Sequence, residues 1–517
     1  MNQGQLRRKA VRGAGLTIAS GGTILAVQIV ATVVLARLLV PQDFGVVAMV
    51  TTFSLLLVNF GLNGFTEVIV QRDSVSHQLA STLFWINLAC GAILTLGFAA
   101  AGSLLAWFYH DPLVRTVAAG VSLTIFLTST SVMHLALLKR AMRFPQVSFN
   151  DIRARIISVM VAIALALAGW SWRSLVAGAV VLSLSTAVGA WMTCRWLPGW
   201  PRRVPGLGRA LRFALHTYGS FTVNYASRNT DNLLVGWRFS AQSLGFYKKA
   251  YDLFALSASQ LVSSISVVVV GALSRVLRDP AQYRRYLLAA TTVMAFIGMG
   301  VGVDLTLAGK DVIRLLLGPG WAPAGKIFTF FGPGIGVMIL YYTHSWIHLS
   351  TGHPERWFRW TIVEFVVTVT LFILALSHGP VGIAMAWTAS FWILTIPALW
   401  YAGRPIGLSV GPTLRAIWPY LAASLVAGVA TTLVMQRLHT LQTLDGAFGA
   451  FVRIVVISLL VAATYVPGVI AFHGGFAPIR QIAKLVKDLL GKGRGEPSLP
   501  VDEEPALAGA TPLDARA

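Results

Sequence analysis

Fourteen apolar runs, most of them long enough to cross a membrane, constrain this chain more than any other feature. A spanning helix needs about 20 mostly apolar residues. Only 12% of the residues are charged, against about 25% in a soluble domain. The pattern excludes a soluble enzyme and predicts an all-α polytopic membrane protein. The runs lie at residues 16–36, 44–66, 79–108, 114–137, 153–170, 174–194, 213–237, 244–271, 286–308, 326–349, 358–377, 379–401, 414–435 and 448–472.

The basic residues indicate which side of the membrane each connecting segment faces. With the N-terminus in the cytoplasm, 28 of the 41 Lys and Arg residues lie in cytoplasmic segments and 11 on the opposite side. Short cytoplasmic loops carry such an excess in membrane proteins. We therefore predict cytoplasmic termini and an uncleaved first helix. The net charge of +22 then reflects topology and not nucleic-acid binding.

A short motif at the end of the first run recurs about 200 residues later, at the end of the seventh. Arg37 and Arg238 each end a run, and Gly45 and Gly245 each lie near the start of the next. Both copies have the same predicted direction, which favours two parallel repeats with a substrate site around a central cavity between them. Four parts are predicted: a six-helix lobe at 1–200, a second at 205–405, a terminal helix pair at 406–475, and a basic segment with a disordered tail at 476–517.

Polar side chains inside the runs are the candidate site residues. A stripe of polar side chains along one face of a spanning helix must face protein or a water-filled cavity. An ionisable residue at mid-membrane costs about 2.5–3.5 kcal/mol on insertion scales, so it marks a candidate site. Arg228 offers a planar fork suited to phosphate or carboxylate oxygens, although a self-neutralising pair with Asp231 is an equal alternative. The stripe on the seventh run follows helical spacing and consists of Thr217, Ser220, Asn224, Arg228 and Asp231.

Two earlier runs contribute further candidates. Asn87 is either a cavity amide or an interhelical hydrogen-bond donor. Glu67 is a candidate carrier of a coupling proton or cation, or an interfacial residue near Arg72. His344 and His348 are four residues apart but lack the further ligands that a metal site needs. No Walker A sequence occurs and no catalytic constellation stands out, so we expect no cofactor, no metal and no enzymatic activity.

An ordered set of short motifs resembles the polysaccharide exporters of the oligosaccharide-lipid flippase type, close to the colanic acid exporter branch. The likeness runs from about residue 10 to 400, and the motifs span both predicted lobes. They are the segments 35–49, 60–62 with 71–72, 81–87, 108–112, 229–236, 244–251 and 316–321.

The resemblance implies membership of the multidrug/oligosaccharidyl-lipid/polysaccharide exporter superfamily, with two six-helix lobes around a central cavity. It implies alternating-access transport of undecaprenyl-diphosphate-linked repeat units across the bacterial inner membrane. A polymerase and a chain-length regulator of the same pathway are the implied protein partners. We predict substrate contacts from Arg228, Asn224, Ser220 and Asn87, and coupling through Asp231 or Glu67.

Two other functions remain open at this point. A multidrug or organic cation antiporter shares the superfamily, but usually has twelve spans and buried acids in its cavity. A membrane-embedded polymerase or ligase would need a sizeable outer loop to hold its chemistry, and the sequence shows none.

Overall fold

The computed structural model describes residues 3–72, 74–476 and 480, with side chains from residue 21 onwards except those of residues 220, 257–261, 263–264, 267–268 and 442. Within that part of the chain all regular structure is helical. The α-helices are α1 Gln3–Leu38, α2 Pro41–Gln71, α3 His77–Tyr109, α4 Leu113–Arg140, α5 Phe144–Leu167, α6 Trp172–Cys194, α7 Leu207–Arg238, α8 Ala241–Arg275, α9 Pro280–Leu317, α10 Ala322–Tyr341, α11 Thr343–Ser350, α12 Pro354–Ala375, α13 Gly379–Gly403, α14 Val410–Arg437, α15 His439–Gln442 and α16 Gly446–His473.

The fourteen predicted spans correspond to fourteen membrane-length segments, with α10 and α11 together forming the tenth. Ten stretches of the described residues are also apolar enough to cross a membrane, one of them covering both α12 and α13. The two closest joins in the sequence are real helix breaks. Gly169 and Gly379 take positive φ angles of 81° and 73° there, a conformation that glycine adopts without steric penalty.

Helix starts follow local sequence chemistry. Ser76 accepts a hydrogen bond from the backbone N–H of Leu79, and Asp279 accepts from Ala281 and Gln282. Side-chain oxygens at this position satisfy N–H groups that have no partner within the helix. Pro41 begins α2, where its missing N–H removes no helical hydrogen bond. These signals place the starts of α2, α3 and α9.

The helices form two six-helix lobes related as parallel repeats, with a terminal pair beside the second. In the first lobe α4 packs on α2, α3 and α6, and α5 packs on α1 and α6. In the second, α10 packs on α8, α9 and α13, and α12 packs on α13. Helices α14 and α16 pack together on α9. The predicted boundaries of these parts stay a prediction, and most of the predicted tail at 476–517 lies outside the described residues.

The two lobes meet where the repeated motif begins α2 and α8. A Cβ atom on Gly45 would overlap the carbonyl oxygen of Ala241, and one on Gly245 would overlap that of Pro41. The contact is reciprocal, so the two motif glycines occupy equivalent places in the two repeats. We call this contact the glycine crossing. It lies at the end of the helix bundle that also holds Arg37, here called the Arg37 end.

Further hydrogen bonds join the lobes at the same end. The guanidinium of Arg37 donates to the carbonyl oxygen of Leu315 at 2.6 Å, and the indole N–H of Trp321 donates to that of Ala36 at 2.8 Å. Both acceptors lie on the opposite lobe from their donors. In this structure the lobes are therefore tied together at the Arg37 end.

Candidate functional site

A cavity of about 350 Å³ lies between the lobes, below the glycine crossing. Helices α1, α2, α5 and α6 of the first lobe and α8 of the second form its walls. Its charged lining residues carry three positive charges and one negative charge. We call it the cationic cavity, and its polar lining residues are Gln28, Thr32, Thr51, Arg155, Lys248, Lys249 and Asp252.

Two of these cations have no carboxylate partner. Lys248 forms an ion pair with Asp252 one helical turn away. Arg155 donates to the side-chain oxygen of Gln28 at 3.4 Å, and the Lys249 ammonium lies 4.3 Å from the ring centre of Phe44. Among the described residues, neither has a carboxylate oxygen within 4.0 Å.

Cations outside any ion pair are energetically unfavourable for the protein alone when they lie inside a membrane-spanning helix. Arg155 is near the middle of α5, about 16 Å from its start at 1.5 Å per residue. Insertion of one such charge costs about 2.5–3.5 kcal/mol. Two such cations on one cavity wall favour the binding of an anionic ligand. The cationic cavity is therefore the leading candidate substrate site.

The sequence reasoning missed this site. It assigned Arg155 to a cytoplasmic segment and Lys248 and Lys249 to an outer one. The helices extend further than the apolar runs: α5 begins at Phe144 and α8 at Ala241, so all three residues lie well inside helices. The sequence could have indicated this site, because each of the three residues falls within a predicted span.

Arg228 lines a different cavity, of about 270 Å³, inside the second lobe. Its guanidinium donates to the hydroxyl of Tyr342 at 2.8 Å. Glu364 lines the same cavity. Helix α8 separates this Arg228 cavity from the cationic cavity, since Tyr251 lines the first and Asp252 the second.

Asp231 is completely buried and does not pair with Arg228. Its carboxylate accepts hydrogen bonds from the hydroxyl of Tyr247 at 2.8 Å, the indole N–H of Trp387 at 2.9 Å and the backbone N–H of Asn232 at 2.8 Å. The alternative of a self-neutralising Arg228–Asp231 pair is therefore wrong. Its role in coupling stays a prediction.

The other predicted site residues are scattered. Asn87 is buried and donates to the carbonyl oxygen of Ser129 at 2.8 Å, so it joins α3 to α4. Asn224 is exposed, one turn from Arg228 on α7, while the side chain of Ser220 lies outside the described residues. Glu67 is exposed near the far end of α2. The structure does not gather these residues into one site.

Comparison with known proteins gives the family. Residues 34–326 match the model of a family described as polysaccharide biosynthesis protein. The matched range covers more than half of the chain and includes the motif of both repeats. The chain belongs to this family.

Individual relatives agree with that assignment. The succinoglycan biosynthesis transport protein ExoT of Rhizobium meliloti (strain 1021) is 23% identical over 434 residues, covering 83% of this chain and 87% of ExoT. Together with the family match and the spans, this similarity shows a multi-pass membrane transporter of polysaccharide biosynthesis.

Two solved structures share the fold. The lipid II flippase MurJ in an inward closed conformation matches with a TM-score of 0.70 and 14% identity, over 87% of this chain and 97% of MurJ. A multidrug resistance transporter of the MATE family in an inward-facing conformation matches with a TM-score of 0.59 and 13% identity, over 74% of this chain and 94% of that one. At these identities the likeness concerns the fold alone.

Proposed function

We propose that this transporter flips undecaprenyl-diphosphate-linked oligosaccharide repeat units across the bacterial inner membrane for exopolysaccharide or lipopolysaccharide assembly. The observation that carries the proposal is the cationic cavity between the lobes, where Arg155 and Lys249 belong to none of the ion pairs among the described residues. A diphosphate headgroup cannot cross hydrocarbon unaided, because its charges would lose their hydration. The two cations replace part of that hydration through charge-assisted hydrogen bonds.

The two-lobe arrangement supports an alternating-access mechanism. The lobes are parallel repeats, and the cavity lies between them, where transporters of this design bind substrate. The excess of basic residues on the opposite side from the glycine crossing makes the Arg37 end the periplasmic one. Both termini then lie in the cytoplasm. In this structure the lobes are joined at the Arg37 end, so flipping requires the glycine crossing to separate.

Reconstitution tests the proposed function directly. The probe is a fluorescent undecaprenyl-diphosphate-linked glycolipid extracted from a producing strain, in liposomes with and without the purified protein. We expect the protein to expose the inner-leaflet half of the probe to a membrane-impermeant reagent. A phosphatidylcholine analogue with the same fluorophore is the control and should not be flipped. No flipping of the glycolipid, with transport of organic cations instead, would overturn the proposal in favour of an antiporter.

Helix α8 separates Arg228 from the cationic cavity in this structure, so Arg228 tests a second headgroup contact, made as the lobes move. In a strain lacking the gene, we expect an Arg228→Ala variant to export at least about tenfold less polymer, because one charge-assisted hydrogen bond is worth about 1.5–3 kcal/mol. Tyr342→Phe is the matched control, since it removes the hydroxyl that accepts from Arg228 but keeps the ring. Its export should stay within about threefold of wild type. Intact export by Arg228→Ala would exclude headgroup contact, and equal losses in both variants would assign Arg228 to helix packing.

A further inference from the structure

The first lobe contains a second polar cavity, of about 390 Å³, that no part of the proposed function uses so far. It lies between α2, α4, α5 and α6. Its size is within the range of about 300–1,000 Å³ that small-molecule sites occupy. Hydroxyl side chains dominate its polar lining, so we call it the hydroxyl cavity. They are Thr51, Ser54, Thr124, Thr128, Ser131, Ser183 and Thr186.

The charges in the hydroxyl cavity balance. Asp151 and Lys139 are its two charged lining residues. Asp151 takes part in none of the three ion pairs found in the described part of the chain. No group of three or more His, Cys, Asp or Glu side chains that could hold a metal ion occurs among the residues that the structure describes. One carboxylate and one ammonium favour neither a diphosphate nor a cation, and suit a neutral polar ligand.

The hydrogen-bonding capacity of the walls identifies the ligand chemistry more closely. Thr124 and Ser131 donate their hydroxyl protons to carbonyl oxygens of their own helix, at 2.7 and 2.9 Å. Their oxygen lone pairs remain able to accept. With the carboxylate of Asp151, the cavity therefore presents more acceptors than donors. A molecule with several O–H donors complements such a wall, and the apolar side chains of Leu55 and Val121 offer contact to its C–H groups.

The hydroxyl cavity adjoins the cationic cavity. Thr51 lines both. Asp151 and Arg155 are four residues apart on α5, and one lines each cavity. A ligand whose phosphates contact Arg155 thus has the hydroxyl-rich wall one helical turn away.

We propose that the hydroxyl cavity binds the sugar attached directly to the lipid diphosphate, with Asp151, Thr124 and Thr128 accepting from its hydroxyl groups. The inference rests on the proposed function, because it takes the diphosphate in the cationic cavity as the anchor. Under this proposal the first lobe determines which sugar the transporter binds. The diphosphate alone would then bind more weakly than the glycosylated lipid.

Equilibrium binding to the full-length protein in nanodiscs tests the proposal. The probes are undecaprenyl diphosphate and the same lipid carrying one glucose, galactose or N-acetylglucosamine, each measured separately. We expect wild type to bind at least one glycosylated lipid about tenfold more tightly than the bare diphosphate. A Thr124→Val/Thr128→Val variant should lose most of that preference while its Kd for the bare lipid stays within about twofold, because it changes no charge near Arg155. Thr128→Val alone, the milder change, should lose part of it.

The matched control is Thr370→Val. Thr370 is exposed on α12, outside the lining of either cavity, and donates to the carbonyl oxygen of Val366 within its own helix. This variant should keep the full preference for the glycosylated lipid. If wild type binds all four lipids equally, the sugar site is overturned and the proposed function stands. If the Thr124 and Thr128 variants weaken the binding of bare and glycosylated lipid equally, the sugar site is likewise overturned. If wild type binds none of them, the proposed function falls and the sugar site with it.

Discussion

An Arg155→Gln/Lys249→Gln variant should flip the lipid diphosphate at least about a hundredfold more slowly than wild type, measured at subsaturating lipid. Each lost charge-assisted hydrogen bond is worth about 1.5–3 kcal/mol, and 1.4 kcal/mol is a factor of ten. Both side chains line the cationic cavity without a carboxylate partner in the described structure. The measurement is the initial flipping rate in liposomes.

The thermal midpoint of the same variant shows whether the two substitutions affect binding or folding. Because each cation is unfavourable within the membrane, its removal should leave the thermal midpoint in detergent unchanged or raised. Lys310→Gln/Lys326→Gln removes the same net charge from two exposed positions and should flip at the wild-type rate. Near-normal flipping by the Arg155/Lys249 variant would exclude the cationic cavity as the diphosphate site. A large fall in its thermal midpoint would assign the two residues to packing.

Adding one methyl group at the glycine crossing should open the Arg37 end. Gly45→Ala places a Cβ atom on the carbonyl oxygen of Ala241, and helix backbone cannot yield as a side chain tip can. Overpacking of this kind costs about 1–3 kcal/mol, so the ratio of closed to open protein should fall by about tenfold. Gly245→Ala should act in the same direction, since its Cβ overlaps the carbonyl oxygen of Pro41.

Cysteine labelling measures this opening. Ala48→Cys introduces a thiol on the wall of the cationic cavity, in a background where Cys90 and Cys194 are serine. A membrane-impermeant reagent added from the periplasmic side should label it about tenfold faster in the Gly45→Ala variant. Gly271→Ala is the control in α8, because a Cβ atom there meets nothing within 4 Å. Equal labelling rates in the Ala48→Cys background, its Gly45→Ala variant and its Gly271→Ala variant would show that the glycine crossing accommodates the methyl group and does not hold the lobes closed.

Part of the fold was predictable because each spanning helix carries its own signal. The sequence alone shows the fourteen runs, the break at Gly379 and the repeat that pairs Gly45 with Gly245. The sequence did not show what those glycines contact. Only the packed lobes show that each lies against the first turn of the other repeat.

The candidate site was predicted less well, for a reason visible in three residues. Arg228 was chosen because it lies on the polar stripe of the seventh run and has a planar fork suited to phosphate oxygens, and the structure places it on a cavity wall. Asp231, on the same predicted face, is instead sealed by Tyr247 and Trp387. Arg155 was assigned to a cytoplasmic segment, although it falls within the fifth apolar run. Hydropathy marks where a helix leaves the hydrocarbon less sharply than it marks that a helix exists.

The amino-acid order alone predicted the number of membrane-length helices and their duplication. It could do so because a helix in lipid satisfies its backbone hydrogen bonds internally and depends on no neighbour. The tertiary structure alone decided which side chains of α5 and α8 share a cavity. Lipid is as apolar as a protein core, so an apolar helix gives no pattern for which of its faces turns inward, and packing between helices sets that rotation.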